Sequence, residues 1–309
     1  MTLSDAGSRA TIFDLQRFSI HDGPGIRTVV FFKGCSLRCP WCHNPEGVRV
    51  APEVTWSASR CSACLTCLTV CPRRAVRVDA DARIDWNLCD HCGECVKVCP
   101  SLALRHVGQA VSVDDLVQRC LADRDFYATS GGGVTLSGGE PVLQAGAAAR
   151  LLRGLRSAGV HTLLETAGSY PFEMLEPLLP HLDQIYFDWK VPLPEQYRVH
   201  TGGDGHRIAS NLARLLALGA PVRVRIPLVP GINDSADQAA AAARTLHQLG
   251  IRDVILLRYN HLWEAKLPTL SAPPPPLGVR ARDDVSSIVA AFAAAGMEAR
   301  PAWVGAEGN

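Results

Sequence analysis

The sequence predicts an α/β fold: an open, partial (β/α)6 TIM-like barrel with a ferredoxin-like two [4Fe-4S] cluster insertion. Three observations lead there. Short apolar runs alternate with longer stretches of helical period, the signature of buried parallel strands joined by helices. Polar and glycine residues gather just past the ends of those runs. A cysteine-dense segment repeats with a period of 28 residues, from Cys61 to Cys89. The barrel is expected over residues 1–49 and 109–309, and the insert over 50–108.

Six strands are expected at 27–32, 134–136, 162–165, 184–188, 222–228 and 254–258. Helices are expected at 142–158, 172–179, 206–218, 235–249 and 284–295. The run 271–277 holds four consecutive prolines and reads as an extended loop, because proline lacks a backbone donor. Cys35 follows the first strand. Ser137-Gly138-Gly139-Glu140 follows the second, Glu165-Thr166 the third, and Asp188 with Lys190 the fourth. Arg225 lies on the fifth strand and Tyr259-Asn260-His261 closes the sixth. In parallel barrels the carboxyl ends of the strands carry the chemistry, so one rim is expected to hold the site.

Length and composition exclude several classes. The 309 residues suit one barrel with an insert. An apolar fraction of 47% is ample for a core, and a net charge of +1 offers no long-range attraction to nucleic acid or anionic lipid. No apolar run approaches the ~18 residues of a membrane span and no secretory h-region is present. A cytoplasmic protein without nucleic-acid or membrane partners is expected.

Eleven of the twelve cysteines fall into three groups. Cys35, Cys39 and Cys42 form Cys-x3-Cys-x2-Cys. Cys61, Cys64, Cys67 and Cys71 form Cys-x2-Cys-x2-Cys-x3-Cys-Pro, and Cys89, Cys92, Cys95 and Cys99 repeat it. A disulfide scaffold suits neither the crowding between Cys35 and Cys120 nor a reducing compartment. Zinc ribbons usually pair two Cys-x2-Cys knuckles across roughly 15–20 residues. Here each group brings its own fourth cysteine followed by proline, the bacterial ferredoxin run, which favours iron–sulfur ligation. In two-cluster ferredoxins the fourth cysteine serves the other cluster. That rule assigns Cys61, Cys64, Cys67 and Cys99 to one cluster, and Cys89, Cys92, Cys95 and Cys71 to the other. The first group stops at three, which leaves one iron of a cubane open to a small molecule, as a catalytic metal keeps a free position. Cys120 sits in a helical pattern and reads as a buried inert thiol.

The stretch Asp22-Gly23-Pro24-Gly25-Ile26-Arg27, followed by Lys33-Gly34-Cys35-Ser36-Leu37-Arg38-Cys39-Pro40-Trp41-Cys42-His43-Asn44 and by Leu136-Ser137-Gly138-Gly139-Glu140-Pro141, resembles the radical S-adenosylmethionine enzymes. Within them it is most similar to the activating enzymes of glycyl radical enzymes, over nearly the whole chain. The resemblance implies three [4Fe-4S] clusters. The one on Cys35, Cys39 and Cys42 would bind S-adenosylmethionine through its amino and carboxylate groups. An electron from that cluster would cleave the cosubstrate to methionine and a 5′-deoxyadenosyl radical, which would take a hydrogen atom from a glycine Cα of a partner glycyl radical enzyme. Holding the sulfonium against the cluster is what makes such a radical productive. The insert would relay electrons from a flavodoxin or ferredoxin.

The same resemblance assigns contacts. Gly138, Gly139 and Glu140 would hold the methionyl amino group, since glycine lets main chain approach a ligand. Lys190, beside Asp188, would pair with the methionyl carboxylate. Glu165 and Thr166 would lie by that carboxylate, in some members with a monovalent cation. Trp41 would contact adenine, Arg225 to Asn233 would flank it, and His261 would lie near the ribose. Asp22 and Arg27 would lie near the partner's glycine loop. Trp189 departs from the family's usual leucine and, facing away from Asp188 and Lys190, is expected to affect packing. With the loose Asn260-His261-Leu262-Trp263, this leaves an alternative open: the same scaffold acting directly on a small molecule or peptide.

Overall fold

The computed structural model describes residues 7–78, 83–274, 277–279 and 284–302. Pro275 and Pro276 of the expected proline loop, and the outer ends of the expected barrel limits, lie outside them.

The chain opens with β1 (Arg9–Ser19) and β2 (Arg27–Phe32), then β3 (Glu53–Trp56), α1 (Thr66–Val70), α2 (Glu94–Lys97), β4 (Leu104–Val107) and β5 (Gln109–Ser112). Next come α3 (Val113–Leu121), α4 (Arg124–Ser130), β6 (Gly133–Gly138), α5 (Ala145–Ser157), β7 (His161–Thr166) and β8 (Gln184–Asp188). The remainder is α6 (Tyr197–Thr201), α7 (Gly205–Ala217), β9 (Val222–Pro227), α8 (Ala236–Gln248), β10 (Asp253–Leu257), α9 (Ser286–Ala294) and β11 (Glu298–Ala302).

One sheet has the order β11-β10-β9-β8-β7-β6-β2-β1-β5. From β2 to β11 every neighbouring pair is parallel, while β1 and β5 extend the sheet antiparallel. All six expected strands are present. Three more strands join them, each for a local reason that hid it. β1 is bulged twice, after Ile12 and after Gln16, so its alternation breaks. β5 is a four-residue edge. β11 reads Glu-Ala-Arg-Pro-Ala; its proline is tolerated because the strand is an edge that pairs with β10 alone.

The helices form for ordinary reasons. α5 buries Ala147, Ala148, Leu151, Leu152 and Leu155, an i, i+4 stripe, against the sheet. α8 starts from a Ser235–Gln238 capping box, and Asp204 caps α7 through the Arg207 amide. The helix expected at 172–179 is absent: two short 3-10 turns at Phe172–Met174 and Leu179–His181 replace it. Pro177 and Pro180 remove the amides that a continuous helix there needs. Cys120 is fully buried in α3.

Residues 53–107 leave the main core and build a second, smaller one. Val54, Trp56, Ala75, Ile84, Ala103 and Leu104 form it, with cysteines packed around them. β3 and β4 pair as an antiparallel ribbon at its base. The 28-residue repeat extends to the backbone. Left-handed residues recur in pairs that far apart: Ala63 with His91, Leu65 with Gly93, and Arg74 with Leu102. Two segments of different sequence adopt the same turns because each wraps its cysteines in the same way.

Candidate functional site

The carboxyl ends of the parallel strands and the loop after β2 enclose a cavity of about 230 Å³. Cys35, Cys39, Trp41 and Cys42 line it from the loop, Ser137, Gly138 and Gly139 from β6, and Glu165 and Thr166 from β7. Asp188 comes from β8, Lys190 from just beyond it, Arg225 from β9, Tyr259 from beyond β10, and Asp22 from the turn before β2.

The cysteine loop is closed at its base by Gly34 N–H to Gly47 O (2.7 Å) and Cys35 N–H to Val48 O (3.0 Å). Two ion pairs brace it. Lys33, wholly buried, donates to Glu46 O at 2.7 Å and to the Glu53 carboxylate at 3.0 Å. Lys266 donates to His43 O at 2.9 Å and to Glu46 Oε1 at 2.7 Å. Burial pushes the thiols of Cys35 and Cys39 up to about 12 and raises that of Cys42. Thiols so desolvated become thiolates when a metal supplies compensating charge. Among the described residues no three His, Cys, Asp or Glu converge on a point that one ion could fill. A cubane makes no such demand, since each thiolate binds a different iron, so three cysteines spread around one cavity fit it.

The turn after β6 lies directly on the chain after β2. Gly139 N–H reaches Phe32 O at 2.8 Å and Glu140 N–H reaches Gly34 O at 2.7 Å. A Cβ on Gly138 would stand 2.5 Å from Phe32 N, and one on Gly139 2.2 Å from Gly34 O. Gly138 also has φ of +110°, which favours glycine. With those amides engaged, the turn has its carbonyls to offer a donor such as an ammonium group.

The Glu140 side chain is turned inward, away from the cavity. It accepts from Thr166 Oγ1 at 2.9 and 3.0 Å and from Ala167 N–H at 3.0 Å, tying the β6 turn to the end of β7. Burial pushes this carboxyl up to about 7 against those hydrogen bonds. Tyr170 closes the network on Thr166 at 2.8 Å.

A line of alternating charge crosses four strands. Ser137 Oγ donates to Glu165 Oε2 at 2.6 Å, and Arg225 Nη1 to Glu165 Oε1 at 2.5 Å. Arg225 Nε donates to Asp188 Oδ1 at 2.8 Å, and Lys190 Nζ to Asp188 Oδ2 at 3.3 Å. Burial opposes the Lys190 charge, but Asp188, Cys39 and Cys42 outweigh it and raise its pKa. Burial likewise opposes charge on Asp188, yet Arg225 and Lys190 hold its carboxyl below the usual range. Burial raises Glu165 despite Arg225, with Asp22 and Asp188 adding to the rise. Trp189 points the other way, fully buried and edge-on to Tyr197, as its alternation in the strand requires.

Two further expected residues, besides the Glu140 side chain, lie elsewhere. His261 is outside the cavity wall, half-exposed, with Nδ1 3.3 Å from Glu264 and its ring edge-on to Tyr259. Arg27 is wholly buried beneath the Asp22 turn. Its guanidinium donates to Thr135 Oγ1 (2.7 Å), Val134 O (2.9 Å) and Pro24 O (3.1 Å), while Thr135 Oγ1 donates to Asp22 O at 2.7 Å. Arg27 therefore pins the turn from behind rather than facing a ligand, and burial lowers its pKa to about 10.

Two smaller cavities lie in the 53–107 segment. Cys61, Cys64, Cys67 and Cys99 line one, and Cys71, Cys89, Cys92 and Cys95 line the other, so each draws one cysteine from the opposite run. All twelve cysteines are free thiols.

Residues 29–243 match the model of the Radical SAM superfamily. The isethionate sulfite-lyase activating enzyme of Desulfovibrio desulfuricans is 39% identical over 271 residues, covering 85% of this chain and 86% of that one. The benzylsuccinate synthase activating enzyme of Thauera aromatica is 41% identical over 265 residues, covering 82% and 80%. The chain belongs to the glycyl radical enzyme activating enzymes of the radical SAM superfamily. A solved structure, Streptococcus suis SuiB bound to precursor peptide SuiA, is 11% identical with a TM-score of 0.53, covering 89% of this chain and 48% of that one; the likeness is one of fold.

Membership implies a [4Fe-4S] cluster, S-adenosylmethionine and a protein substrate. Among the described residues no helix is long and apolar enough to cross a membrane. Reading the motifs left out Glu53 and Lys266, gave Lys33 no role, and set Arg225 beside adenine rather than at the centre of the charge line. An arginine amid the apolar alternation Val222-Arg223-Val224-Arg225-Ile226 was the signal for the last. Lys266 carries no motif, and Lys33 stands in the cysteine motif without a feature that marks its bracing role.

Proposed function

We propose that this activating enzyme holds its catalytic [4Fe-4S] cluster on Cys35, Cys39 and Cys42 and acts on a glycine of a partner glycyl radical enzyme. When bound, the reduced cluster supplies the electron that splits S-adenosylmethionine into methionine and the 5′-deoxyadenosyl radical that abstracts the glycine hydrogen. The observation that carries the reading is the single cavity in which buried Cys39, partly buried Cys35 and Cys42, a glycine turn and a largely buried charge line meet.

The residues divide the work. Carbonyls of the Gly138–Gly139 turn orient the amino group, and Lys190, held by Asp188, faces the carboxylate. Glu140 and Thr166 hold the turn in place. Trp41, only 4% exposed and on the wall beside Cys42, offers an aromatic face to the adenine and excludes water. Arg225 already pairs with Glu165 and Asp188, so those carboxylates have a resident cation in the place where some relatives use a monovalent ion.

Residues 1–49 and 109–309 would form the partial barrel, and 50–108 a ferredoxin-type unit with two further clusters. The two four-cysteine cavities and their separate small core support that division. A flavodoxin or ferredoxin of the cytoplasm would be the donor. Electron paramagnetic resonance tests the function. A glycine-centred doublet is expected only when partner, reductant and S-adenosylmethionine are all present, and its absence from that mixture would refute the reading.

A further inference from the structure

The 28-residue repeat makes the two four-cysteine sites locally alike, so the repeat gives no direction to electron flow. Both sites also present an exposed cysteine, Cys64 in one and Cys92 in the other. What distinguishes them is where the β3–β4 ribbon is rooted.

The ribbon pairs Glu53 with Val107, Val54 with His106 and Trp56 with Leu104. Its Glu53 end is fixed to the barrel. Glu53 accepts from Lys33 Nζ at 3.0 Å and from Ser271 Oγ at 2.9 Å. Gly108, just past Val107, lies so close that a Cβ there would stand 2.5 Å from Lys33 Cδ. Lys33 is itself two residues before Cys35. Val54, next to this root, lines the cavity of Cys71, Cys89, Cys92 and Cys95. Its N–H donates to His91 Nδ1 at 3.0 Å, and the His91 amide reaches Cys89 Sγ at 3.4 Å. Trp56 and Leu104, at the far end, line the cavity of Cys61, Cys64, Cys67 and Cys99. Val54 and Trp56 share a face of the strand, and two residues of strand advance the second cavity about 7 Å from the root.

We propose that the Cys71/Cys89/Cys92/Cys95 site is the near relay and the Cys61/Cys64/Cys67/Cys99 site the entry port. This rests on the function proposed above and adds its direction. One electron from a low-potential carrier protein, which is oxidised by one unit, enters at the port and passes to the near relay. It ends at the centre on Cys35, Cys39 and Cys42, where it is consumed in breaking one carbon–sulfur bond of the sulfonium. The carrier docks on the Cys64 side.

The test is magnetic and needs no turnover. Fully reduced protein with S-adenosylmethionine is compared with Cys64→Ala and Cys92→Ala. The quantity read is the microwave power that half-saturates the signal of the Cys35/Cys39/Cys42 centre, identified by its change on adding the cosubstrate. Removing the near neighbour in Cys92→Ala should slow relaxation several-fold, while Cys64→Ala stays close to wild type. The reverse pattern, or equal change in both, overturns the order. Where alanine unfolds the segment, Cys64→Asp and Cys92→Asp keep a ligand oxygen and alter the electronic state of their site. Only Cys92→Asp should then disturb the signal, and equal or reversed disturbance again overturns the order. A wild-type signal indifferent to S-adenosylmethionine refutes the proposed function instead, so the two failures are distinct.

Discussion

The cysteine loop after β2 and the cysteine-rich 53–107 segment use the same side chain in opposite ways. In the loop, three thiols face a cavity of about 230 Å³ that is also lined by glycine backbone, three carboxylates and three cations. In the segment, four thiols surround each of two cavities of about 20 and 10 Å³ lined otherwise mostly by apolar and small residues. The first resembles an open catalytic site and the others closed structural ones. Burial differs in degree, since Cys95 of the segment is buried as well and pushed up to about 11. Cys35 and Cys39 are pushed up to about 12 by desolvation, whereas Cys64 is exposed and its pKa is lowered, chiefly by its hydrogen bond with Thr66. The open cavity is walled by several strands, whereas Cys64 and Cys92 bring the smaller cavities to the surface.

The largest expected effect separates the two regions outright. Cys39→Ala should abolish 5′-deoxyadenosine formation under dithionite, while Cys64→Ala retains measurable cleavage with that chemical reductant. Equal loss in the two folded variants, followed by chromatography of the nucleoside, would erase the distinction.

Next comes the wall of the open site. Arg225→Met leaves the buried Glu165 carboxylate with the Ser137 hydroxyl in place of a cation, at a cost of about 3–5 kcal/mol. Melting of the loaded protein reads that cost, and calorimetric titration should show S-adenosylmethionine affinity falling more than tenfold. Unchanged affinity would detach the charge line from the site.

The junction between the regions is predicted to be weaker. Lys33→Met leaves Glu53 with Arg49 and Ser271, of which Arg49 is half-exposed, and should cost about 3 kcal/mol. Reduction of the Cys35/Cys39/Cys42 centre by a protein donor should slow, while reduction by dithionite stays near wild type; equal slowing with both would show that Lys33 serves the loop alone.

A pH effect is predicted at Glu140, behind the wall of the open site. The folded pKa of Glu140, about 7, lies above its ordinary value of 4.5, so between those values the native chain keeps a proton that the unfolded chain has lost. Its contribution is present below pH 4.5 and is lost as pH rises toward 7, by up to roughly 3 kcal/mol. Glu140→Gln should flatten that slope of the melting temperature, and an unaltered slope would mean that Glu140 is ionised in the fold. The smallest effect belongs to His261→Ala, a half-exposed residue outside the cavity: a change of less than about threefold in the KM for S-adenosylmethionine. A hundredfold rise would place the ring on the ligand.

Much of this was legible in advance because it is written locally. Apolar runs and helical period marked the six central strands, and spacing alone grouped the cysteines. Elements were missed where local pattern and tertiary role part company. β1 loses its alternation at two bulges, and β11 is a proline-containing edge that only β10 makes into a strand. The run 172–179 carried helical periodicity, but its prolines allow only short turns. Arg27 shows the same limit in the site: its motif implied a place near the partner's glycine loop, whereas the fold buries it behind the Asp22 turn, with Thr135, Val134, Pro24 and His161 as partners.

The sequence by itself determined which cysteines group together, the succession of βα units and the duplication that reappears in the left-handed residues of each half. Those properties depend on neighbours a few positions apart. Only the tertiary structure decided that Arg225 sits between Glu165 and Asp188, that Glu140 turns inward to Thr166, and that Lys33 roots the cysteine-rich segment at Glu53. Each depends on strand register and chain crossing between residues 20 to 60 positions apart, and no periodicity along a chain records which charges a parallel sheet will bring side by side.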